Sequence, residues 1–319
     1  VKRLVAFALG AALLGCSSPA PITADALLGT IGDLPAARSA RGDAASRAGL
    51  RRTESYVAER LRSFGLEPQL QAFEWGSPQP ETWHNVIAEV PGTDRPDEVL
   101  LVAAHIDAVT GSPGADDNGS GVAALLEIAR VLAHRSPART VRLCFYNCEE
   151  QGLVGSTHDA ALLAPRIAAG EVDLVGAISF DALGYYCTEP GCQRSPFPPI
   201  PGVFEPPDTG ESIAIVTVAQ HRGFARSLAA QMRSAEPDLE VLTVDFAPVP
   251  APDLLRSDHA PFLLMGEPAV MITDTANFRS PYYHTPGDTI GTIDAERYTR
   301  VVRALVSAVV ALSDEPAND

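Results

Sequence analysis

His105, Asp117, Glu149, Glu150, Asp181 and His284 are metal-seeking side chains spread over about 180 residues, and they gather at or near the ends of apolar runs. Zinc takes His nitrogen and carboxylate oxygen, usually with four ligands in all. Two imidazoles and this many carboxylates exceed the needs of one zinc with an open position. They suit two ions sharing a bridging carboxylate and a bridging water. His105 and Asp107 are two apart on an extended chain, so their side chains share a face. Asp107 is then placed to accept the second imidazole N–H and fix its tautomer. Glu149 and Glu150 are neighbours, and adjacent extended residues point opposite ways. One can bind metal while the other faces the water as general base. Asp181 ends an apolar run, where an unpaired carboxylate is costly; a metal and a buried salt bridge would both satisfy it. In Gly114-Ala115-Asp116-Asp117-Asn118-Gly119-Ser120-Gly121, Gly and Asn supply a turn and Asp or Ser an N-cap. Capping needs at most one of the two Asp.

Four continuous apolar runs must position these groups: Val99 to Ala104, Val141 to Tyr146, Leu174 to Phe180 and Ala269 to Thr273. Such runs suit strands buried on both faces of a largely parallel sheet. His105, Glu149-Glu150 and Asp181 follow the first three, and His284 lies in a loop after the fourth. Helical periodicity marks Gly121 to Leu132, Gly223 to Met232 and Ala295 to Leu312. Strands alternating with helices predict a doubly wound α/β sheet. Ligands of such sheets bind beyond the carboxyl ends of the strands, where these residues fall.

The order His-x-Asp, Gly-Ala-Asp-Asp-Asn-Gly-Ser-Gly, Asn-Cys-Glu-Glu-Gln-Gly-Leu-Val-Gly-Ser, Phe-Asp-Ala-Leu-Gly, Ser-Asp-His-Ala-Pro-Phe and Tyr-His-Thr-Pro-Gly-Asp-Thr resembles the co-catalytic di-zinc aminopeptidases of peptidase family M28. Their relatives include glutamate carboxypeptidase and glutaminyl cyclase. The resemblance runs from about Asn85 to the last helix. It implies a three-layer α/β/α sandwich with a twisted, mostly parallel but mixed sheet, the phosphorylase/hydrolase-like fold. It also implies two Zn2+ per chain, with Mn2+ or Co2+ as alternatives. His105 and Asp181 would hold one ion, Glu150 and His284 the other, and Asp117 would bridge them. Glu149 would act as general base and then acid, and Tyr283 would help stabilise the oxyanion. His259, in Ser257-Asp258-His259, falls in a family motif away from the ligands. There Ser257 or Asp258 is expected to cap a helix, with His259 lining the site. The implied reaction is peptide hydrolysis at the N-termini of peptides or proteins. A carboxypeptidase, dipeptidase or glutaminyl cyclase is the alternative within the fold, and a binding protein without catalysis is the alternative outside it.

The rest of the chain narrows the choice. Its 319 residues, 46% hydrophobic, fit one large α/β domain. A net charge of −16 makes nucleic acid an unsuitable partner. Lys2 is the sole lysine, so Schiff-base, P-loop and Ser-Lys chemistry have no lysine in the folded body. No Gly-x-Ser-x-Gly elbow occurs, which argues against a serine α/β-hydrolase. Arg51-Arg52 reads as an exposed helix face. Lys2-Arg3 precedes an apolar stretch too short to span a bilayer, with the length and flanks of a signal sequence. Leu13-Leu14-Gly15-Cys16 resembles a lipoprotein cleavage box. The expected organisation is therefore a signal peptide over 1–15, a tether over 16–35, a peptidase domain over 36–314 and a polar tail over 315–319. The protein would be exported and anchored to the cell envelope through lipid on Cys16. Cys187 and Cys192 can pair after export, whereas Cys144 and Cys148 read as small buried residues on a strand. Cys187 to Gly210 is proline-rich and long for a structureless loop. It follows the strand that ends at Asp181, so it is expected to overhang the metals as a substrate-shaping flap.

Overall fold

Along Val99 to Ala104 every side chain is buried, but the two alternating sets enter different cores. Val99, Leu101 and Ala103 join one cluster; Leu100, Val102 and Ala104 join the other. A strand with period-two side chains can do this only in the middle of a sheet covered on both faces. The computed structural model describes residues 20–247 and 252–316. The expected signal sequence and Cys16 lie outside the described residues.

The strands are β1 (Gln69–Trp75), β2 (Glu81–Val90), β3 (Arg95–His105), β4 (Arg139–Tyr146), β5 (Asp173–Phe180), β6 (Ile213–Val216), β7 (Val241–Val244) and β8 (Ala269–Thr273). They form one sheet in the order β1-β2-β4-β3-β5-β8-β6-β7. The four central strands, β4-β3-β5-β8, run parallel to one another, while β1, β2 and the β6–β8 contact are antiparallel. The sheet is thus mixed with a parallel centre, as expected. The helices are α1 (Ala24–Asp33), α2 (Ala44–Ser63), α3 (Gly121–Leu132), α4 (Val154–Ala168), α5 (Arg222–Ala235), α6 (Ala260–Leu264) and α7 (Ala295–Asp314). The larger core lies beneath α1, α2, α3, α5 and α7; the smaller lies beneath α4 and α6. β3 pairs with β4 on one side and β5 on the other, and the chain leaves β3 through α3 and β4 through α4, on opposite faces. A crevice therefore opens beyond the ends of these strands.

One expected boundary is corrected. Residues 24–35 are not part of a tether. Thr23 caps α1 by accepting the Ala26 N–H at 3.3 Å, and Leu27, Ile31 and Leu34 are buried against α3 and α7. These positions repeat at i, i+4 and i+7, one apolar stripe of a short helix. Gly29, Thr30, Gly32 and Asp33 between them dilute the stripe in the sequence. At the other end, Glu315 is tied down, its carbonyl accepting from Arg139 at 3.1 Å. Arg51 lies on α2, half-exposed, with its guanidinium over the Trp83 ring and paired to Glu81 at 2.7 Å. Cys187 and Cys192 form a disulfide, while Cys144 and Cys148 are free and buried.

Candidate metal centre

His105 is the last residue of β3 and only 1% exposed. Its Nδ1 lies 3.2 Å from the backbone carbonyl of Asp107 and 3.6 Å from that residue's carboxylate. The carboxylate was expected to hold this imidazole, yet the carbonyl is the closer partner. The Asp107 carboxylate instead accepts the backbone N–H groups of Glu149 at 3.0 Å and Glu150 at 3.2 Å. The cause is local. Beyond β4 the chain turns through Cys148 in the left-handed region, with φ of 57°, into one tight turn over Glu149–Gln151. That turn aims two successive amides at Asp107. The Glu pair is therefore not extended, as the alternation argument assumed, but the two side chains still part company. Glu149 converges with His105 and Asp181, and Glu150 converges with Asp117 and His284.

Asp117 joins the two groups. One of its oxygens is 3.2 Å from His105 Nε2 and the other is 3.0 Å from His284 Nε2. His284 Nε2 is also 3.2 Å from Glu150 Oε2, and His105 Nε2 is 3.9 Å from Asp181 Oδ1. All five expected ligands are thus brought together. The loop that carries Asp117 is held by Asp288, whose two carboxylate oxygens accept the N–H groups of Asp116 at 2.8 Å and Asp117 at 3.1 Å. Asp116 itself turns inward to accept Gly184 N–H at 2.7 Å. The expected Asp or Ser cap of α3 is replaced by Asn118, whose Oδ1 accepts Gly121 N–H at 3.1 Å while its Nδ2 donates to Phe180 O at 2.6 Å. Asn reaches both groups because it carries a donor and an acceptor together.

The donors fit metal. His105 Nε2 and Glu150 Oε1 are buried and have no hydrogen-bond partner among the described residues, although carboxylate oxygens of Asp117 and Asp181 lie 3.2 and 3.9 Å from that nitrogen. Groups that approach to about 3 Å without hydrogen-bond geometry are aimed at a common third point. Charge points the same way. Burial pushes the carboxyl of Glu150 up to about 7, with Asp117 adding to the shift. Burial raises Glu149 and Asp181 as well, while Asp117 is held down, against its burial, by His105 and His284. Burial disfavours charge on His284, but Asp117 and Glu150 outweigh it and push that imidazole up to about 10. This excess of buried negative charge calls for cations.

Tyr283 stacks on the His284 ring at 3.8 Å, and its hydroxyl accepts from Arg256 Nη2 at 3.3 Å. Burial raises its pKa, with Asp117, Asp181 and Glu150 reinforcing the rise, so the phenol keeps its proton. Tyr283 and Asp181 also line an apolar pocket, together with Phe197, Phe204, Val216, Val244, Met271 and Phe278. Phe197 and Phe204 come from the proline-rich segment, which thus lines the same pocket as Asp181. Their rings pack on Phe246 at 5.4 and 5.0 Å, and Arg194 N–H donates to Phe278 O at 2.8 Å.

The Ser257-Asp258-His259 motif behaves differently from its expected roles. The N-cap position of α6 is His259, without a side-chain capping bond. His259 does not line the site; its Nε2 is bonded to Leu254 O at 2.8 Å within the fold. Burial lowers its pKa to about 4, so the ring is neutral. Asp258 is the motif residue that faces the acidic centre. It is 1% exposed, and among the described residues neither carboxylate oxygen has a hydrogen-bond partner. Burial pushes its carboxyl up to about 7, against the pull of His105. Neither Asp258 nor Asp288 carries a signal of its own for these roles in the sequence, each standing beside a more conspicuous residue of its motif.

Two imidazoles and a shared carboxylate at the strand ends of a mixed α/β sheet define the class, a metal-dependent hydrolase. The chain belongs to peptidase family M28, whose model matches residues 85–309. It is 33% identical over 267 residues to the uncharacterized protein YfbL of Escherichia coli, covering 81% of this chain and 79% of YfbL. It is 31% identical over 264 residues to a probable zinc metalloprotease of Leptosphaeria maculans, covering 75% of this chain but 59% of that one. Among solved structures, the aminopeptidase of Aneurinibacillus sp. strain AM-1 superposes with a TM-score of 0.69 over 93% of this chain and 97% of its own, at 17% identity. That likeness carries the fold.

Proposed function

We propose that the chain is an aminopeptidase that works with two zinc ions, one held by His105 and Asp181, the other by Glu150 and His284, with Asp117 between them. The observation that carries the reading is the disposition of Asp117, whose two oxygens face different imidazoles. Bound there, a metal pair supplies Lewis acidity and lowers the pKa of a water from 15.7 toward roughly 7. Glu149 is buried, stands among His105 and Asp181 without being needed as their bridge, and has its pKa raised by burial. It takes the proton of the attacking water and returns it to the leaving amine. Tyr283 keeps its proton and donates to the oxyanion. The pocket beside Asp181 and Tyr283 is apolar and aromatic, and it excludes water around one side chain of the substrate. It suits leucine, methionine or phenylalanine next to the cut, and the proline-rich segment supplies part of its wall through Phe197 and Phe204.

The test uses aminoacyl-nitroanilides. Dialysed enzyme reloaded with zinc should release chromophore from leucyl or phenylalanyl substrate, lose activity to chelator, and hold two zinc per chain. Cleavage of N-acetylated substrates at equal rate would sink the aminopeptidase reading, and one zinc per chain would sink the paired-metal reading.

The location is also proposed. Leu13-Leu14-Gly15-Cys16 after a short apolar stretch supports export and lipidation on Cys16. Any tether would then end before Ala20, whose carbonyl accepts from Arg130 at 2.9 Å. Labelled fatty acid should enter the wild type and be absent from Cys16→Ser; label in that variant would count against the anchor.

A further inference from the structure

Arg38 is an arginine buried to 2% exposure, and it lies outside the stretch that the family model matches. Its guanidinium is spent on carbonyl oxygens. Nε donates to Ile106 O at 3.0 Å, Nη2 to Gly114 O at 2.6 Å, and Nη1 to Pro35 O at 3.3 Å and to Pro113 O. Three of these acceptors stand on the one loop that runs from His105 to Asp117. The backbone closes the clamp from the other side, because Ala108 N–H donates to Arg38 O at 2.9 Å. The packing is tight. A Cβ added to Gly114 would meet Arg38 Nη2 at 2.8 Å. The carboxylates of Asp107, Asp117, Asp288 and Glu150 surround this cation and offset the cost of burying it.

Among the described residues no anionic partner is bonded directly to Arg38, so it is not a salt-bridge residue in the usual sense. A buried charge without a paired carboxylate is expensive. It is tolerated here because the four carboxylates supply the field while the carbonyls supply the hydrogen bonds. Arginine's planar fork can gather several carbonyls at fixed angles, which a lysine ammonium cannot. The neighbouring Ser39 hydroxyl reaches Thr110 Oγ1 at 3.1 Å on the same loop.

We propose that Arg38 is a positioning residue of the metal centre, fixing the loop between His105 and Asp117 and thereby setting zinc affinity. The N-terminal segment is then a working part of the site. This rests on the two-zinc reading above, and the experiment separates the two. Zinc affinity is measured by competition with a chromophoric chelator for the wild type, Arg38→Lys, Arg38→Met and Leu27→Ala. Leu27 is buried in α1 but has no bond to the loop, so its truncation loosens the segment without opening the clamp. Arg38→Lys and Arg38→Met should lose at least about tenfold in zinc affinity, with Leu27→Ala close to wild type. Wild-type affinity in Arg38→Lys, or an equal loss in Leu27→Ala, would overturn the proposal. Should the Arg38 variants fail to fold, hydrogen exchange on wild-type protein decides it. Zinc should slow exchange of the Ala108 amide, and an unchanged rate there overturns the proposal. Wild type that takes up no zinc would overturn the metal reading itself, and this inference with it.

Discussion

The carboxylate of Asp107 receives the Glu149 N–H at 3.0 Å, and its second oxygen receives the next N–H along the chain at 3.2 Å. A residue two positions beyond His105 thus builds the turn that carries both glutamates. Asp107→Asn keeps one acceptor but turns an amide N–H toward a backbone N–H. The turn should shift and Glu149 with it. We expect kcat to fall about 10–100-fold while KM stays close to wild type, since the interaction lost serves the transition state. An Asp107→Asn enzyme with unchanged kcat would mean that the turn holds without it.

Glu149→Gln preserves size and removes the proton carrier. General acid–base catalysis contributes about 10²–10⁴-fold, so turnover should fall by that range. Zinc stoichiometry by elemental analysis should remain at the wild-type value, because Glu150 and Asp181 are untouched. Loss of a metal in this variant would move Glu149 from proton carrier to ligand.

The parallel centre of the sheet was legible because its strands are buried on both faces and therefore read as unbroken apolar runs. β8 and α3 match the expected limits residue for residue. The outer strands were not legible. β1 is an edge strand of mixed polarity, and β6 and β7 are four residues each, too short for a pattern to rise above composition. That the candidate ligands converge was readable from residue type and strand-end position. Their supports were not, because Arg38, Asp288 and Asn118 act through backbone groups that no side-chain pattern records. The exchange of roles between Asp258 and His259 has the same origin. Alternation along the chain cannot say which neighbour points inward when a turn intervenes.

Tyr283 and Arg256 make a pair whose coupling can be measured. The guanidinium donates to the phenol oxygen at 3.3 Å and is itself held by Asn277 Oδ1 at 2.6 Å. Removing an oxyanion donor typically costs about 10²–10³-fold in kcat, and Tyr283→Phe should fall near the lower end. If Arg256 works by orienting that hydroxyl, Arg256→Gln lowers kcat in the wild type but adds little in the Tyr283→Phe background. Additive losses would show that Arg256 acts on the substrate directly.

Phe197 and Phe204 test the pocket. Each ring forms part of the wall and each packs on Phe246. Phe204→Ala should lower kcat/KM for a leucyl or phenylalanyl substrate by roughly tenfold or more while an alanyl substrate changes little, since apolar fit is worth about 1–3 kcal/mol per methylene-sized group. An equal drop on all three would assign the residue to folding rather than to selection.

His259 predicts an acid limit on stability that is separate from metal binding. Its imidazole is 1% exposed and bonded to Leu254 O, and burial lowers its pKa to about 4. In the unfolded chain an imidazole titrates near 6.5. Below that pH the unfolded state takes up a proton that the folded state refuses until about pH 4. Stability is therefore full above pH 6.5 and is lost progressively as pH falls toward 4, by about 3 kcal/mol in all. His259→Gln retains a donor for Leu254 O and removes the titration. Chemical denaturation of metal-free protein between pH 7 and pH 4 should show a smaller loss in the variant than in the wild type. Parallel curves would place the acid sensitivity in the carboxylates alone.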